Sequence, residues 1–147
     1  MKHIFTLNDE KHDIGSSGEL ASRLEQVRQL ERADISLYEI TGTRTGLDAL
    51  VCRIFGATTQ IAGQVMMAWL NSDMAHLLFE EDDGLAFHSC NPSYSGPEDA
   101  AVTFYLGGQE EDMTPARWCI SREEALKAVM HFYEHGKKPE WIHWQKE

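Results

Sequence analysis

The middle of this 147-residue sequence contains no lysine or arginine between Arg53 and Arg117. The same window holds ten acidic residues, namely Asp73, Glu80, Glu81, Asp82, Asp83, Glu98, Asp99, Glu110, Glu111 and Asp112. The remaining 14 of the 24 acidic residues face 13 basic ones, so this window carries nearly all of the net charge of −11. Such a field repels nucleic acid, which argues against direct nucleic-acid binding. It either keeps the surface soluble or attracts a basic partner.

Cysteine and long apolar runs are also scarce. The three cysteines, Cys52, Cys90 and Cys119, form no C-x-x-C pair, which favours a reducing compartment over a disulfide framework or a zinc ribbon. No run approaches the roughly 18 apolar residues of a membrane helix. The first residues, MKHIFTLNDEKHD, lack the apolar region of a signal peptide. We therefore expect a soluble, cytosolic protein that does not contact a membrane.

The chain shows no internal repeat, low-complexity tract or linker, so we expect a single domain over residues 1–147. Its 42% hydrophobic content is typical of a folded protein. A chain of this length buries about 68–70% of its unfolded surface, which makes a disulfide or metal unnecessary for folding. No cofactor is expected.

The first half of the chain predicts a helix followed by strands. Ser16 and Glu19 form a capping box ahead of apolar residues at helical spacing, which predicts an amphipathic helix over 17–33. Residues 35–40 and 49–55 are typical of strands joined through the turn-prone TGTRTG. Residues 59–72 fit either a helix or a strand, and their apolar side chains would allow a dimer.

The second half predicts a hairpin, two further strands and a final helix. HLLFE and LAFHSC flank a turn at Asp83-Gly84, residues 101–106 alternate in polarity, and residues 117–120 form a short strand. Ser121 and Glu124 cap the last helix, which ends at Gly136 before Pro139. Together these elements predict an α+β fold, with an N-terminal and a C-terminal helix packed on a largely antiparallel sheet.

The last helix contains His131-x-x-Glu134-His135, the inverted zincin motif. This spacing would allow a small zinc hydrolase. At 100° per residue, however, His131 and His135 lie opposite the apolar face of the helix, whereas catalytic zinc needs a walled cleft. We interpret the motif as the basic end of a helix. No other histidine forms an evident catalytic pair with a cysteine, and YLGGQ lacks the residues of a phosphate-binding loop. No metal site or catalytic residue is predicted.

In the C-terminal third, a glycine pair ends a strand, and a capped helix, a Gly turn, a Pro and aromatic residues follow. The residues of this pattern are Tyr105, Leu106, Gly107, Gly108, Ser121, Glu124, Ala125, Ala128, Phe132, Gly136, Pro139, Trp141 and Trp144. In this pattern the chain resembles immunity protein family one of bacterial polymorphic toxin systems. The resemblance covers residues 101–145 and is weaker upstream, where residues 50–55 and 76–92 could match the family's central strands. Residues 57–74 look like a local elaboration.

This resemblance implies a bacterial cytosolic protein that neutralises a cognate toxin, such as a nucleic-acid deaminase or nuclease delivered by contact-dependent inhibition. The family provides no catalytic residues. A toxin that acts on nucleic acid needs a basic groove, which an acidic inhibitor can fill. The alternative is an acidic adaptor for another basic protein.

The predicted toxin contact follows the acidic window. Its residues are Glu80, Glu81, Asp82, Asp83, Tyr94, Glu98, Asp99, Glu110, Glu111 and Asp112. Tyr94 would be either an aromatic anchor or an ordinary exposed loop residue. We expect Trp118, Trp141 and Trp144 to lie in the core, and Trp69 to be either buried or exposed.

Overall fold

Ten strands and two α-helices form the regular structure of residues 2–43, 61–107 and 109–147, which the computed structural model of the protein describes. The strands are β1 Lys2–Leu7, β2 Glu10–Ile14, β3 Arg32–Thr43, β4 Ile61–Asn71, β5 Met74–Glu80, β6 Ala86–Cys90, β7 Ala101–Leu106, β8 Glu110–Pro115, β9 Cys119–Ser121 and β10 His143–Lys146. The helices are α1 Ser17–Arg28 and α2 Arg122–His135, and a 3₁₀ turn spans Ala116–Trp118.

Eight of these strands form one sheet. Seven of them follow the order β10-β6-β5-β4-β3-β1-β2, and the eighth, β9, pairs with the same edge of β5 as β6 does. Every pairing in this sheet is antiparallel. Within the described part of the chain, strands β7 and β8 pair only with each other. The predicted α+β class, with a helix near each end of the chain on a largely antiparallel sheet, is confirmed.

The hydrophobic core lies between the sheet and the two helices. Alternate residues of the central strands point into it because successive side chains of a strand face opposite ways. Phe132 of α2 is fully buried, and its ring meets that of Phe79 edge-on at a centroid distance of 5.6 Å. The buried cluster includes Phe5, Leu20, Leu24, Val27, Ile35, Leu37, Met66, Leu70, Leu77, Phe79, Leu126, Val129 and Phe132.

Both helix starts are confirmed at the level of single hydrogen bonds. Ser16 Oγ accepts from the backbone N–H of Glu19, and Ser121 Oγ accepts from that of Glu124, each at 3.2 Å. The end of α2 is confirmed as well, since Gly136 has φ +67° and its N–H bonds Phe132 O at 2.8 Å.

The first helix is shorter than predicted. It ends at Arg28 rather than at residue 33, because β3 already begins at Arg32 and pairs with both β1 and β4. Strand pairing on two sides therefore overrides the helical pattern of the last residues. The strand predicted over 117–120 is also partly wrong, since Ala116–Trp118 form a 3₁₀ turn and only Cys119–Ser121 pair with β5.

Residues 61–71 form β4, in the middle of the sheet, so the interpretation of 57–74 as a local elaboration is wrong. β4 pairs with β3 and β5, and Met66, Ala68 and Leu70 are buried. The strand predicted over 35–40 extends to Thr43, so the first half of the expected turn belongs to β3. The strand predicted over 49–55 lies outside the described residues.

The N-terminal hairpin was not predicted. Leu7 pairs with Glu10 around a two-residue turn in which Asn8 and Asp9 have φ values of +47° and +71°. Two positive φ angles are typical of the tight turns whose twist matches that of the flanking strands. The Asn-Asp pair was the available signal in the sequence.

The β7–β8 hairpin packs on the face of the sheet away from the helices, which we call the outer face. Asn71 Nδ2 donates to Thr103 O at 2.8 Å, and Gly107 N donates to Asp34 Oδ2 at 3.0 Å. Phe104 is fully buried beneath the hairpin. The alternating pattern of residues 101–106 thus predicted the strand, in which Phe104 is buried and its apolar neighbours Val102 and Leu106 are half-buried.

Arg122 connects the start of α2 to the end of α1. Its guanidinium donates to the carbonyl oxygens of Val27, Leu30, Glu31 and Ser72. It thereby ties the end of α1 and the turn at Ser72 to the start of α2.

Replacing Arg122 with alanine should therefore lower the free energy of unfolding by about 2–3 kcal/mol, because several bonds to a charged donor are lost. Arg122→Lys should recover less than half of that loss, since an ammonium group cannot reach four separated acceptors. Urea denaturation measures both variants. A loss below about 0.5 kcal/mol in Arg122→Ala would show that this contact does not stabilise the fold.

Candidate functional site

The first acidic group lies on the turn between β5 and β6. Glu80 is exposed on the outer face, and Asp82 and Asp83 are exposed at the tip. Asp83 Oδ1 accepts from the backbone N–H of Leu85 at 3.0 Å, which fixes the turn. Glu81 is different because Lys138 Nζ lies 3.6 Å from its carboxylate, on the helix side of the sheet. Three carboxylates of this group therefore remain available to a partner.

The second acidic group lies on β8. Glu110 and Glu111 are exposed, whereas Asp112 is half-buried and accepts from Thr114 Oγ1 at 3.4 Å. These residues pair with β7, so the acidic segment after the glycine pair is a strand. Pairing with β7 fixes the backbone of β8, and therefore the positions from which the exposed side chains of Glu110 and Glu111 extend.

The third group lies in the loop over residues 91–100, where Glu98 and Asp99 are exposed. Tyr94 bends back onto the same loop, and its hydroxyl donates to Pro97 O at 2.8 Å. Its side chain also occupies the space beside Gly96, where an added Cβ would lie 2.5 Å from the hydroxyl oxygen. In this arrangement Tyr94 is half-buried and closes the loop.

The β5–β6 turn and the β7–β8 hairpin meet the sheet at different positions along its strands. Glu80 is level with Val65 and Tyr38 across the strands, whereas the hairpin bonds Asp34, four residues away along β3. Four residues of strand correspond to roughly 13 Å. A typical protein interface covers about 800 Å² per partner, a patch roughly 30 Å across. The two groups form separate patches, and one partner on the outer face is large enough to contact both.

Beneath the hairpin, aromatic side chains stack in a row that we call the aromatic column, consisting of Trp69, His76, His88, Phe104 and Trp118. His76 Nε2 and His88 Nδ1 are 3.0 Å apart. The Glu147 carboxylate lies 3.5 Å from His88 Nε2, which favours the tautomer in which His88 Nδ1 accepts from His76. Burial, and then the neighbouring His88, lower the pKa of His76 to about 3. His76 is therefore uncharged at neutral pH, and the column that surrounds it anchors the hairpin.

The tryptophans do not all lie where the sequence analysis placed them. Trp118 stacks on His88 at a centroid distance of 4.0 Å, and Trp144 Nε1 donates to Pro139 O at 2.9 Å, so both are packed though only half-buried. Trp69 is half-buried against His76. Trp141 is 50% exposed, so its expected place in the core is wrong. It lies two residues beyond Pro139, between the end of α2 and the start of β10.

The zincin-like motif lies in the C-terminal turns of α2. His131 and His135 have ring centroids 4.4 Å apart, and the ring of Trp141 meets His131 edge-on at 4.9 Å. Glu134 and His135 are each about half exposed. Partial burial, and then His135, lower the pKa of His131. Among the described residues, no group of three or more His, Cys, Asp or Glu side chains could hold a metal ion.

Two of the three cysteines lie in described residues. Cys119 is buried, and this burial raises the pKa of its thiol to about 11, so the thiol stays protonated and unreactive. Cys90 is half-buried at the end of β6. Cys52 lies outside the described residues.

A cleft of about 540 Å³ opens where β6 and β9 separate along β5. Exposed Trp141 and Met74 line it together with Asp73 and Glu124. Sequence reasoning assigned none of these four residues to a site. The sequence offered one signal, a tryptophan at position 141 shortly after Pro139. It could not show that Trp141 is exposed, because the exposure of a single aromatic residue depends on contacts with distant strands.

These features define a small α+β protein whose surface offers exposed carboxylates and a wide cleft. None of the described helices combines the length and the apolar character needed to cross a membrane. A family model described as immunity protein Imm1 matches residues 8–146. The chain belongs to this family of immunity proteins, whose members bind a cognate toxin. The resemblance seen over residues 101–145 is thereby confirmed. No curated protein matches the chain.

Proposed function

We propose that this protein neutralises a bacterial toxin that acts on nucleic acid, by binding it in the cytosol through carboxylates of the outer face. The protein acts as a stoichiometric inhibitor and not as an enzyme. The toxin belongs to a polymorphic, contact-dependent system, in which the immunity protein protects the producing cell and its siblings.

The observation that carries this proposal is the purely acidic charge of the chain between Arg53 and Arg117. Between Arg53 and Arg117 there is no lysine or arginine, and seven exposed acidic residues project from the turn, the loop and the hairpin: Glu80, Asp82, Asp83, Glu98, Asp99, Glu110 and Glu111. A nuclease or deaminase must attract phosphates, so its groove carries basic side chains. Opposite fields accelerate encounter, up to about 10⁸–10⁹ M⁻¹s⁻¹ at low salt. The half-buried Asp112 and Tyr94 contribute at the edges of this contact, whereas Glu81 pairs with Lys138 on the helix side of the sheet.

The first test is protection. Cells that express the toxin domain encoded beside this protein's gene should survive when the protein is coexpressed, and the two purified proteins should form a 1:1 complex. Survival without complex formation, or death despite coexpression, would contradict the proposal.

The second test locates the contact by charge reversal. In Glu80→Lys/Asp82→Lys, association with the toxin should slow roughly tenfold at low salt, and the difference should shrink as salt rises. The matched control is Glu25→Lys/Glu31→Lys, which makes the same change in net charge on α1 and the loop after it. Association of the control should slow less than about twofold. Equal rates for the two variants would show that net charge, and not the outer face, steers the toxin.

A further inference from the structure

The cleft beside Trp141 has the surface chemistry of an anchoring pocket. Trp141 and Met74 are 50% and 39% exposed, whereas most large apolar side chains of the described residues are buried. Tryptophan is among the residues that contribute most to protein interfaces. The two side chains are 67 residues apart in the sequence, one at the start of β5 and one after α2, so the cleft exists only in the folded protein.

The charges around the cleft point to a cationic guest. Asp73 and Glu124 line it and are exposed, and none of the described lining residues is lysine or arginine. Arg122 also lies close to Asp73, to which its backbone N–H donates, but its guanidinium gives its hydrogen bonds to carbonyls at the end of α1 and not to the Asp73 carboxylate. The N-terminus of α2 contributes only about half a positive charge. The two carboxylates therefore outweigh it.

One loop connects the cleft to two of the exposed carboxylates. Residues 91–93 of this loop form part of the cleft wall, and the loop continues through Glu98 and Asp99 into the hairpin. The cleft wall and these two carboxylates therefore belong to the same loop. The volume of about 540 Å³ accommodates a long side chain with its flanking backbone.

We propose that this cleft receives an arginine side chain of the toxin, whose guanidinium packs on Trp141 and binds the carboxylates of Asp73 and Glu124. The inference rests on the proposed function for the identity of the partner. Guanidinium is weakly hydrated, packs on aromatic rings and forms two hydrogen bonds to a carboxylate, so it suits this set of groups better than an ammonium. The outer face then steers the toxin, and the cleft holds it.

A measurement without toxin tests the chemistry of the cleft. The probes are N-acetylargininamide and N-acetylcitrullinamide, which have nearly the same shape but differ in charge. In ¹H–¹⁵N spectra, the indole N–H signal of Trp141, assigned with Trp141→Phe, should move at least three times further with the arginine compound. The signals of Trp118 and Trp144, which are hydrogen-bonded internally, serve as references. In Asp73→Asn/Glu124→Gln the response should fall to the citrulline level. An unmoved Trp141 signal, or equal responses to both compounds, would overturn the proposal.

Binding to the toxin tests the role of the cleft. Trp141→Ala should raise the Kd roughly 30-fold, as expected for a central interface anchor. The control Leu30→Ala removes a side chain that is 38% exposed in the loop after α1, and it should change the Kd less than twofold. Circular dichroism verifies that both variants are folded. If the wild type binds the toxin and Trp141→Ala binds equally well, the cleft is not the anchor although the proposed function stands. If the wild type does not bind, the proposed function fails, and the arginine response of Trp141 still decides the chemistry of the cleft.

Discussion

Replacing Gly63 with alanine is expected to lower the free energy of unfolding by at least about 3 kcal/mol. Gly63 lies in β4 with φ +155°, opposite the point where β3 shifts register between Ile40 and Gly42. A Cβ at this position would lie 1.8 Å from the carbonyl oxygen of Glu39 and 2.9 Å from its carbon. Since both contacts are with backbone, no side chain can rotate away, and the central strands would have to separate locally.

The matched control for this substitution is Gly84→Ala. Gly84 also has a positive φ, +87°, but no atom lies within 4 Å of the Cβ that alanine would add. Its cost should be only that of the unfavourable backbone conformation, about 1 kcal/mol. Urea denaturation measures both variants. Equal losses would show that conformation alone, and not the close approach of Glu39, requires glycine in β4.

Acidification from pH 7 to pH 5 should remove about 2 kcal/mol of stability through His76 alone. Its folded-state pKa is about 3, against an ordinary value of 6.5. Between these two values the unfolded chain binds a proton that the folded protein does not, so stability is fully present above about pH 6.5 and falls as the pH drops below it. His88 bonds the imidazole, Trp69, Phe104 and Trp118 surround it, and none of these groups offers it a negative charge.

His76→Gln isolates this effect because glutamine keeps a donor for His88 but does not titrate. The variant should be less stable at pH 7, having lost the stacking, yet its stability should depend on pH between 7 and 5 by about 2 kcal/mol less than that of the wild type. The measurement is urea denaturation at several pH values. An unchanged pH dependence would show that His76 takes up its proton in the folded protein as readily as in the unfolded chain.

The two faces of the sheet have separate roles in the proposed mechanism. The helices cover one face and supply most of the core, whereas the outer face carries only the hairpin in the described residues. The carboxylates therefore project from paired strands and short turns, which hold them in place. Fixed charges lose little entropy when a partner binds, so this arrangement favours fast and selective capture.

The sequence predicted the elements that short-range signals define. The capping boxes at Ser16 and Ser121, the turn at Asp83-Gly84 and the alternation over residues 101–106 all appear in the structure. Each depends on residues within about four positions of one another, because caps and tight turns are closed by local hydrogen bonds. In residues 59–72 the local pattern fits both a helix and a strand, so the sequence left the two open. Residues 61–71 form a strand because they pair with β3 and β5.

The sequence by itself determined the charge of the protein, the ends of α2, the α+β class and, through the pattern at its C-terminal third, the family. Only the tertiary structure decided that β4 is central, that Lys138 neutralises Glu81, and that Trp141 stays exposed beside Asp73 and Glu124. The physical reason is distance along the chain. Burial and ion pairing depend on which remote segments meet, and that is set by the balance of all the contacts in the fold rather than by any local pattern.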